Sequence, residues 1–277
     1  MKQSQNDNKE LASQPKWTLE EIALSSTIRD EIKEIIAYVH NRKKLLNEWK
    51  FNRFLKLGSG LAINFYGLPG TGKSITAEAI AHELKMSIIK VNYGDIESEL
   101  HGGTSKNLSK IFDDAKRTQS VLFFDEADTI LSQRIGKPSQ SSDHAVNSSK
   151  STLLTLLNDF DGIIIFATNS FETYDPAFLR RILFHIEFTA PDLAARTALW
   201  EFHLSEKVPK SITYDTAASL SEGLCGGDIR NIAIKLGLNL LVGKVSQIDE
   251  EIFKQEVEQY RINKQRNLSF SPSESKE

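Results

Sequence analysis

Cysteine is almost missing from this 277-residue chain: Cys225 stands alone, which excludes an internal disulfide and any cysteine cluster for zinc. Long apolar runs are missing as well. No stretch approaches the roughly 18 apolar residues of a membrane-spanning helix. Lys2, Asp7, Lys9, Glu10 and Lys16 occupy the region where a secretory signal would have its apolar core. Neither a membrane segment nor a leader is expected, and the cytoplasm is the default location. Charge of one sign is also lacking. With 34 basic against 37 acidic residues and a net charge of −3, the chain offers no general field for nucleic acid, which is not the expected partner. Arg42, Lys43, Lys44, Lys50, Arg53 and Lys56 form one basic stretch, but Glu48 lies inside it and a solvated helix face accounts for it.

What is present is a chain of 40% hydrophobic residues, enough for a sizeable core, whose pattern changes along its length. Residues 1–16 are polar and expected as a flexible tail. Residues 17–56 read as a helical lead-in: Thr18 and Glu21 have the spacing of a capping box, and Ile28, Ile32, Ile35, Ile36 and Val39 recur at helical intervals. Residues 57–190 alternate short apolar runs with helical stretches. The runs are Leu61 to Tyr66, Ser87 to Val91, Ser120 to Phe124, Gly162 to Ala167 and Leu183 to Phe188. Apolar runs without alternation fit strands covered on both faces, so the expected fold is α/β with a mostly parallel five-stranded sheet flanked by helices. The serine-rich section from Ser132 to Ser151, with Gly136 and Pro138, reads as an exposed, mobile loop. Residues 191–262 show helical periodicity only and are expected as a small all-helical lid. Residues 263–277 read as a second flexible tail.

The first run leads straight into Gly67-Leu68-Pro69-Gly70-Thr71-Gly72-Lys73-Ser74, the Gly-x-x-x-x-Gly-Lys-Ser pattern in the strand-to-helix context that makes it a phosphate cradle. Glycine lets the backbone approach a phosphate, Lys73 is suited to the β and γ phosphates, and the Ser74 hydroxyl to Mg²⁺. The third run ends in Asp125 and Glu126. Asp125 is placed to order the metal, and Glu126 to polarise a water opposite the γ-phosphate, a pairing that suits hydrolysis. Asp128 is expected to hold this loop or to contact a neighbouring subunit. Thr168 and Asn169 close the fourth run, where the neutral amide of Asn169 can bond both γ-phosphate and water. Arg180 and Arg181 follow the turn-like Tyr174-Asp175-Pro176 and suit a phosphate charge, although a local pair with Glu187 or Asp175 is an equal alternative.

These motifs, in this order, resemble those of AAA+ ATPases, particularly the branch of katanin, spastin and the ATPase domains of membrane-linked bacterial AAA proteases. The resemblance covers roughly residues 20 to 262. It implies a P-loop NTPase using ATP and Mg²⁺, with Asn169 as first sensor and Arg180 and Arg181 as arginine fingers reaching the next protomer of a homo-oligomeric, hexameric ring. Gly226-Gly227-Asp228 is similar to the start of the lid helix near the nucleotide base, so Gly226 and Gly227 are expected cofactor contacts, with Arg230 a further candidate. Leu100, His101 and Gly102 resemble the first pore loop, but leucine stands where protein-threading relatives carry an aromatic residue. The serine-rich section corresponds to the region of the second pore loop. The resemblance implies remodelling or disassembly of a protein substrate or complex. An ATP-controlled assembly or targeting scaffold for a larger machine is the alternative, and a DNA-associated loader a weaker one. Asp125-Glu126-Ala127-Asp128 also spells the signature of DEAD-box helicases, but the chain has no room for two complete motor domains.

Overall fold

A computed structural model describes residues 11–53, 60–92, 104–134, 141–169 and 174–269. The chain divides into two compact units. One comprises residues up to Ile22, Ser26–Gly67 and Lys73–Phe188; the other comprises Ala23–Ser25, Leu68–Gly72 and Thr189–Glu277.

In the first unit, helix α1 (Ser26–Lys43) buries Ile28, Ile32 and Ile35 along one face and ends in His40, Arg42 and Lys43, cations that complement the negative end of the helix dipole. Five strands follow: β1 (Leu61–Gly67), β2 (Ile88–Asn92), β3 (Val121–Asp125), β4 (Ile163–Thr168) and β5 (Phe184–Phe188). They form the expected five-stranded parallel sheet, in the order β2-β3-β4-β1-β5. The connecting helices are α2 (Lys73–Glu83), α3 (Thr104–Thr118), the short α4 (Asp128–Leu131), α5 (Ser141–Asp159) and the one-turn α6 (Pro176–Leu179). Because every strand points the same way, all five carboxyl ends share one edge of the sheet. Beneath that edge, Leu108, Phe112 and Ala115 of α3 pack on the sheet. Phe112 meets Phe160 edge-on with ring centroids 5.0 Å apart, and Phe124 lies 5.5 Å from Phe166.

Three expectations change. Residues 11–16, assigned to a flexible tail, lie on the sheet edge: Ser13 exchanges two 2.9 Å backbone hydrogen bonds with Ile88, and the Lys16 N–H donates to buried Glu78 at 2.7 Å. An edge strand leaves a row of backbone groups unpaired, and this segment satisfies part of it. Glu21 does accept from the Thr18 N–H at 2.9 Å, but the pair closes a turn, and the helix begins at Ser26. The section from 132 to 151, read as a loop, contains the start of the 19-residue helix α5. Its polar first half is anchored by Lys150, which is 1% exposed and donates to the Ser132 carbonyl, the Ser132 hydroxyl and the Gln133 carbonyl, each at 2.9 Å. Burial pushes the Lys150 pKa down, while Asp175 works in the opposite sense.

The second unit contains α7 (Leu193–His203), α8 (Tyr214–Leu220), α9 (Gly226–Leu241) and α10 (Glu250–Ser269). Asp192 and Thr213 cap α7 and α8. Trp200 packs edge-on against Phe253 at 4.8 Å and donates its indole N–H to Ser221 at 2.8 Å, so the largest core side chain leaves no polar atom unpaired. Helix α10 continues past residue 262, where a flexible tail was expected to begin. The reason lies in its last turns: Tyr260 and Lys264 both reach Asp228, at 2.8 and 2.7 Å, while the Cys225 N–H donates to the same carboxylate at 2.9 Å. Burial opposes ionisation of Asp228, but Lys264, the Cys225 N–H and Tyr260 outweigh it and hold its pKa below the ordinary carboxylate value. Among the described residues, no helix is long and apolar enough to cross a membrane.

A group whose pKa is lowered by folding contributes stability above its unfolded pKa and loses it as pH falls through the folded one. Asp228→Asn is therefore expected to destabilise the protein by about 1.5–3 kcal/mol near neutral pH. The gap in melting temperature between the two proteins should close on acidification. A pH-independent gap in thermal melts would contradict this role.

Candidate active site

Strand β1 delivers the chain to Gly67, which pairs with Phe188 of β5. Gly67 has φ +123°, and a Cβ there would stand 2.4 Å from the Phe188 carbonyl oxygen, so no other residue fits. Gly70 and Gly72 also take positive φ, +74° and +101°, and the Thr71 hydroxyl closes the turn on the Leu68 carbonyl at 2.7 Å. Helix α2 starts at Lys73, so its positive end follows directly on this turn.

Lys73 is 8% exposed, and its ammonium donates to the Gly67 carbonyl at 2.7 Å and to Asn169 Oδ1 at 3.1 Å. It thereby joins the end of β1 to the residue beyond β4. An ammonium directed at the end of β1 and the residue beyond β4, beside the glycine turn, is placed to meet a phosphate. The Ser74 hydroxyl donates to Asp125 Oδ2 at 2.9 Å. These two oxygens fit adjacent positions on one hard cation. Among the described residues, no group of three His, Cys, Asp or Glu side chains could hold a metal. A cation at Ser74 and Asp125 would take the rest of its shell from phosphates and water, as magnesium does.

Glu126 is exposed and takes φ +51°, an uncommon conformation for a residue with a side chain. Its N–H donates to Asp125 Oδ1 at 3.0 Å, and the next residue, Ala127, donates to the Ala167 carbonyl of β4 at 2.9 Å. The turn is fixed on both sides, which maintains the strained residue between them. Asp128 accepts the Asn169 N–H at 3.1 and 3.3 Å. The loop-holding role expected of Asp128 is thus directed at the asparagine itself.

The two adjacent arginines have different surroundings. Asp175 caps α6 by accepting the Ala177 N–H at 2.8 Å, and Arg180 at the other end is exposed. Arg181 is held within the chain: its Nε donates to Asn158 at 2.8 Å and its Nη1 to the Ala177 carbonyl at 2.7 Å. Neither the Glu187 nor the Asp175 pairing weighed for these arginines forms; Asp175 instead lies 3.5 Å from Arg134. In the second unit the Gly227 N–H donates to the Gly70 carbonyl at 2.9 Å, and a Cβ on Gly226 would meet the same carbonyl oxygen at 3.5 Å. Gly226 and Gly227 therefore do adjoin the glycine turn. Arg230 is exposed, and its charge adds to the burial that lowers the pKa of His203. Leu100, His101 and Gly102 lie outside the described residues.

Sequence reasoning missed Tyr174 and Asn64. Tyr174 is 3% exposed, pairs with the Thr168 hydroxyl and donates to Asn64 Oδ1 at 3.2 Å. Burial pushes its pKa up to about 12, so it remains a neutral hydroxyl. The available signal was Asn64, an amide in the middle of an otherwise apolar strand.

Comparison with known proteins agrees with this geometry. Residues 63–190 match the ATPase family associated with various cellular activities (AAA). Among similar proteins, Tat-binding homolog 7 of Caenorhabditis elegans is 35% identical over 206 residues, covering 68% of this chain and 16% of that protein. The 26S proteasome regulatory subunit 8 homolog of Encephalitozoon cuniculi is 30% identical over 238 residues, covering 82% and 58% respectively. The proteasome-activating nucleotidase of Methanosarcina mazei is 31% identical over 219 residues, covering 74% and 51%. The chain spans a little over half the length of the two proteasome-related proteins and a much smaller part of the first. A parallel sheet whose carboxyl edge gathers Lys73, Ser74, Asp125, Glu126 and Asn169, together with this match, makes residues 63–190 an AAA ATPase domain.

Proposed function

We propose that this chain hydrolyses ATP with Mg²⁺ and uses the cycle to remodel protein substrates or complexes as a homo-oligomeric, hexameric ring. The observation that carries the reading is the pair of hydrogen bonds from Lys73 to Gly67 and Asn169 beside the Ser74–Asp125 pair, with exposed Glu126 next to it. In this reading the backbone from Gly67 to Gly72, with Leu68, Pro69 and Thr71, wraps the phosphates, and Lys73 neutralises their charge. Magnesium bound through Ser74 and Asp125 would supply further charge neutralisation at the β and γ phosphates. Glu126 takes a proton from the attacking water, and Asn169 orients that water against the γ-phosphate. Gly226 and Gly227, which adjoin Gly70 of the glycine turn, are further proposed nucleotide contacts. Arg180, exposed and with no side-chain hydrogen bond or ion pair among the described residues, is the stronger candidate for the arginine supplied to a neighbouring protomer, and Arg181 positions the helix that presents it.

The names of two relatives associate them with the proteasome, which supports a protein substrate as the object of the work. The katanin- and spastin-like branch rests on the motifs of this chain alone. Leu100 at the position of the pore aromatic favours a second reading, an assembly or targeting scaffold whose partner complex is set by ATP. An ATP-dependent unfolding assay on a tagged model substrate separates the two: unfolding supports remodelling, and a stable ATP-state complex without unfolding supports the scaffold.

Glu126→Gln should retain ATP binding and lower turnover by about 10²–10⁴-fold, measured as phosphate release. Turnover near the wild-type rate would remove Glu126 from its role. Arg180→Ala alone should lower turnover by about 10³-fold or more. Mixing Arg180→Ala with Glu126→Gln protein should restore activity, because an Arg180→Ala subunit retains Glu126 and can receive Arg180 from its neighbour. Mixed rings that stay inactive would mean that Arg180 acts within its own chain, and wild-type turnover in Arg180→Ala alone would remove it from the chemistry.

A further inference from the structure

The end of β4 and the helix bearing Arg180 are tied together by a buried hydroxyl that no nucleotide motif accounts for. Tyr174 donates its one hydroxyl proton to Asn64 Oδ1 at 3.2 Å. The Thr168 hydroxyl, which pairs with the same oxygen, must then be the donor in that bond. The chain of bonds runs from Thr168 through Tyr174 to Asn64, three residues at most 3% exposed, on β4, the turn before α6, and β1. Asn64 pairs in register with Phe166, two residues before Thr168, so Asn64, Phe166 and Thr168 share one face of the sheet.

Two members of this chain of bonds, Thr168 and Tyr174, adjoin residues of the proposed chemistry. Thr168 immediately precedes Asn169, which holds Lys73. Tyr174 immediately precedes Asp175, the N-cap of α6, and Arg180 is the C-cap of the same helix. The same turn is fixed by the bridge of Tyr174 to Ser132 and by the Asp175 N–H donating to the Leu131 carbonyl at 2.9 Å. On β5, His185 lies opposite Asn64 and bonds the Leu179 backbone at the far end of α6. The helix is thus gripped at both ends by polar groups rising from neighbouring strands.

The arrangement is costly. Tyr174 belongs to a hydrophobic cluster that includes Ile164, Phe166, Phe178 and Ile182, and the Nδ2 of Asn64 finds no acceptor among the described residues. Apolar side chains of the same size would fill the space without that penalty. A polar connection kept in an apolar core serves position more readily than stability.

We propose that Tyr174 is a positioning residue that locks Asn169 and Arg180 into one rigid body, so that the arginine offered to the neighbouring site is set by the state of the chain's own γ-phosphate contact. This rests on the roles given above to Asn169 and Arg180. The coupling travels through packed, hydrogen-bonded groups of one unit and needs no motion of the lid.

The test compares Tyr174→Phe, which keeps the ring in its pocket, with Asn64→Leu/Tyr174→Phe, which replaces both polar partners. Turnover, KM for ATP, affinity for a non-hydrolysable ATP analogue and melting temperature are measured for each, with Glu126→Gln as control. Tyr174→Phe should lower kcat by about ten-fold or more while analogue affinity changes less than about three-fold. The double variant should recover melting temperature without recovering kcat. A kcat that stays at the wild-type value in Tyr174→Phe, or that returns together with melting temperature in the double variant, shows that the hydroxyl serves packing alone and overturns the proposal. If Tyr174→Phe fails to fold, the double variant decides by the same criterion. Wild-type turnover in Glu126→Gln would instead defeat the hydrolytic reading itself, which separates the two failures.

Discussion

The carboxyl edge of the sheet is organised around one buried ammonium. Lys73 stands on the first turn of α2 and is satisfied by a carbonyl at the end of β1 and a carboxamide just beyond β4. Both acceptors arrive at the same level because β1 and β4 are adjacent and in register, Tyr66 opposite Thr168, so the next residue of each strand is Gly67 and Asn169. A largely buried ammonium held at this level by oxygens of two neighbouring strands is placed where an anionic group can meet it. The placement of Lys73 is therefore a property of the strand order as much as of the glycine turn.

The order of strands also explains where the acids lie. Strand β3 is the other neighbour of β4, which brings Asp125 within 2.9 Å of Ser74 and lets the Ala167 carbonyl hold the Ala127 N–H. The left-handed backbone of Glu126 is kept between these contacts. Strain collects at the edge where chemistry is expected, while the layer beneath it, Phe112, Phe124, Phe160 and Phe166, is plain aromatic packing. The second unit repeats this division on a smaller scale: Trp200 and Phe253 make its core, and the buried Asp228 ties α9 to α10.

Identical residue types at adjacent positions are put to different uses by their surroundings. Arg181 points into bonds with Asn158 and Ala177, whereas Arg180 remains exposed one residue earlier. Side chains one position apart at the end of a helical turn diverge by about 100°. One can anchor the turn while the other is presented outward. Such a division is invisible in the string Arg180-Arg181.

The sequence alone determined the five strands to within about one residue at their ends, the parallel α/β class, and the phosphate loop with its acids and asparagine. These are local properties: apolar runs, the chirality of glycine, and residues that must leave a strand at its carboxyl end. Only the tertiary structure decided that residues 11–16 dock on β2, that the serine-rich section forms α5, and that Asp128 and Tyr174 hold the residues around Asn169. Each of those outcomes depends on a partner distant in sequence or on another element: Ile88 for Ser13, Ser132 and Gln133 for Lys150, Asn64 for Tyr174. Composition records how polar a segment is. Whether that polarity faces water or a buried partner depends on which strand ends the fold brings beside it.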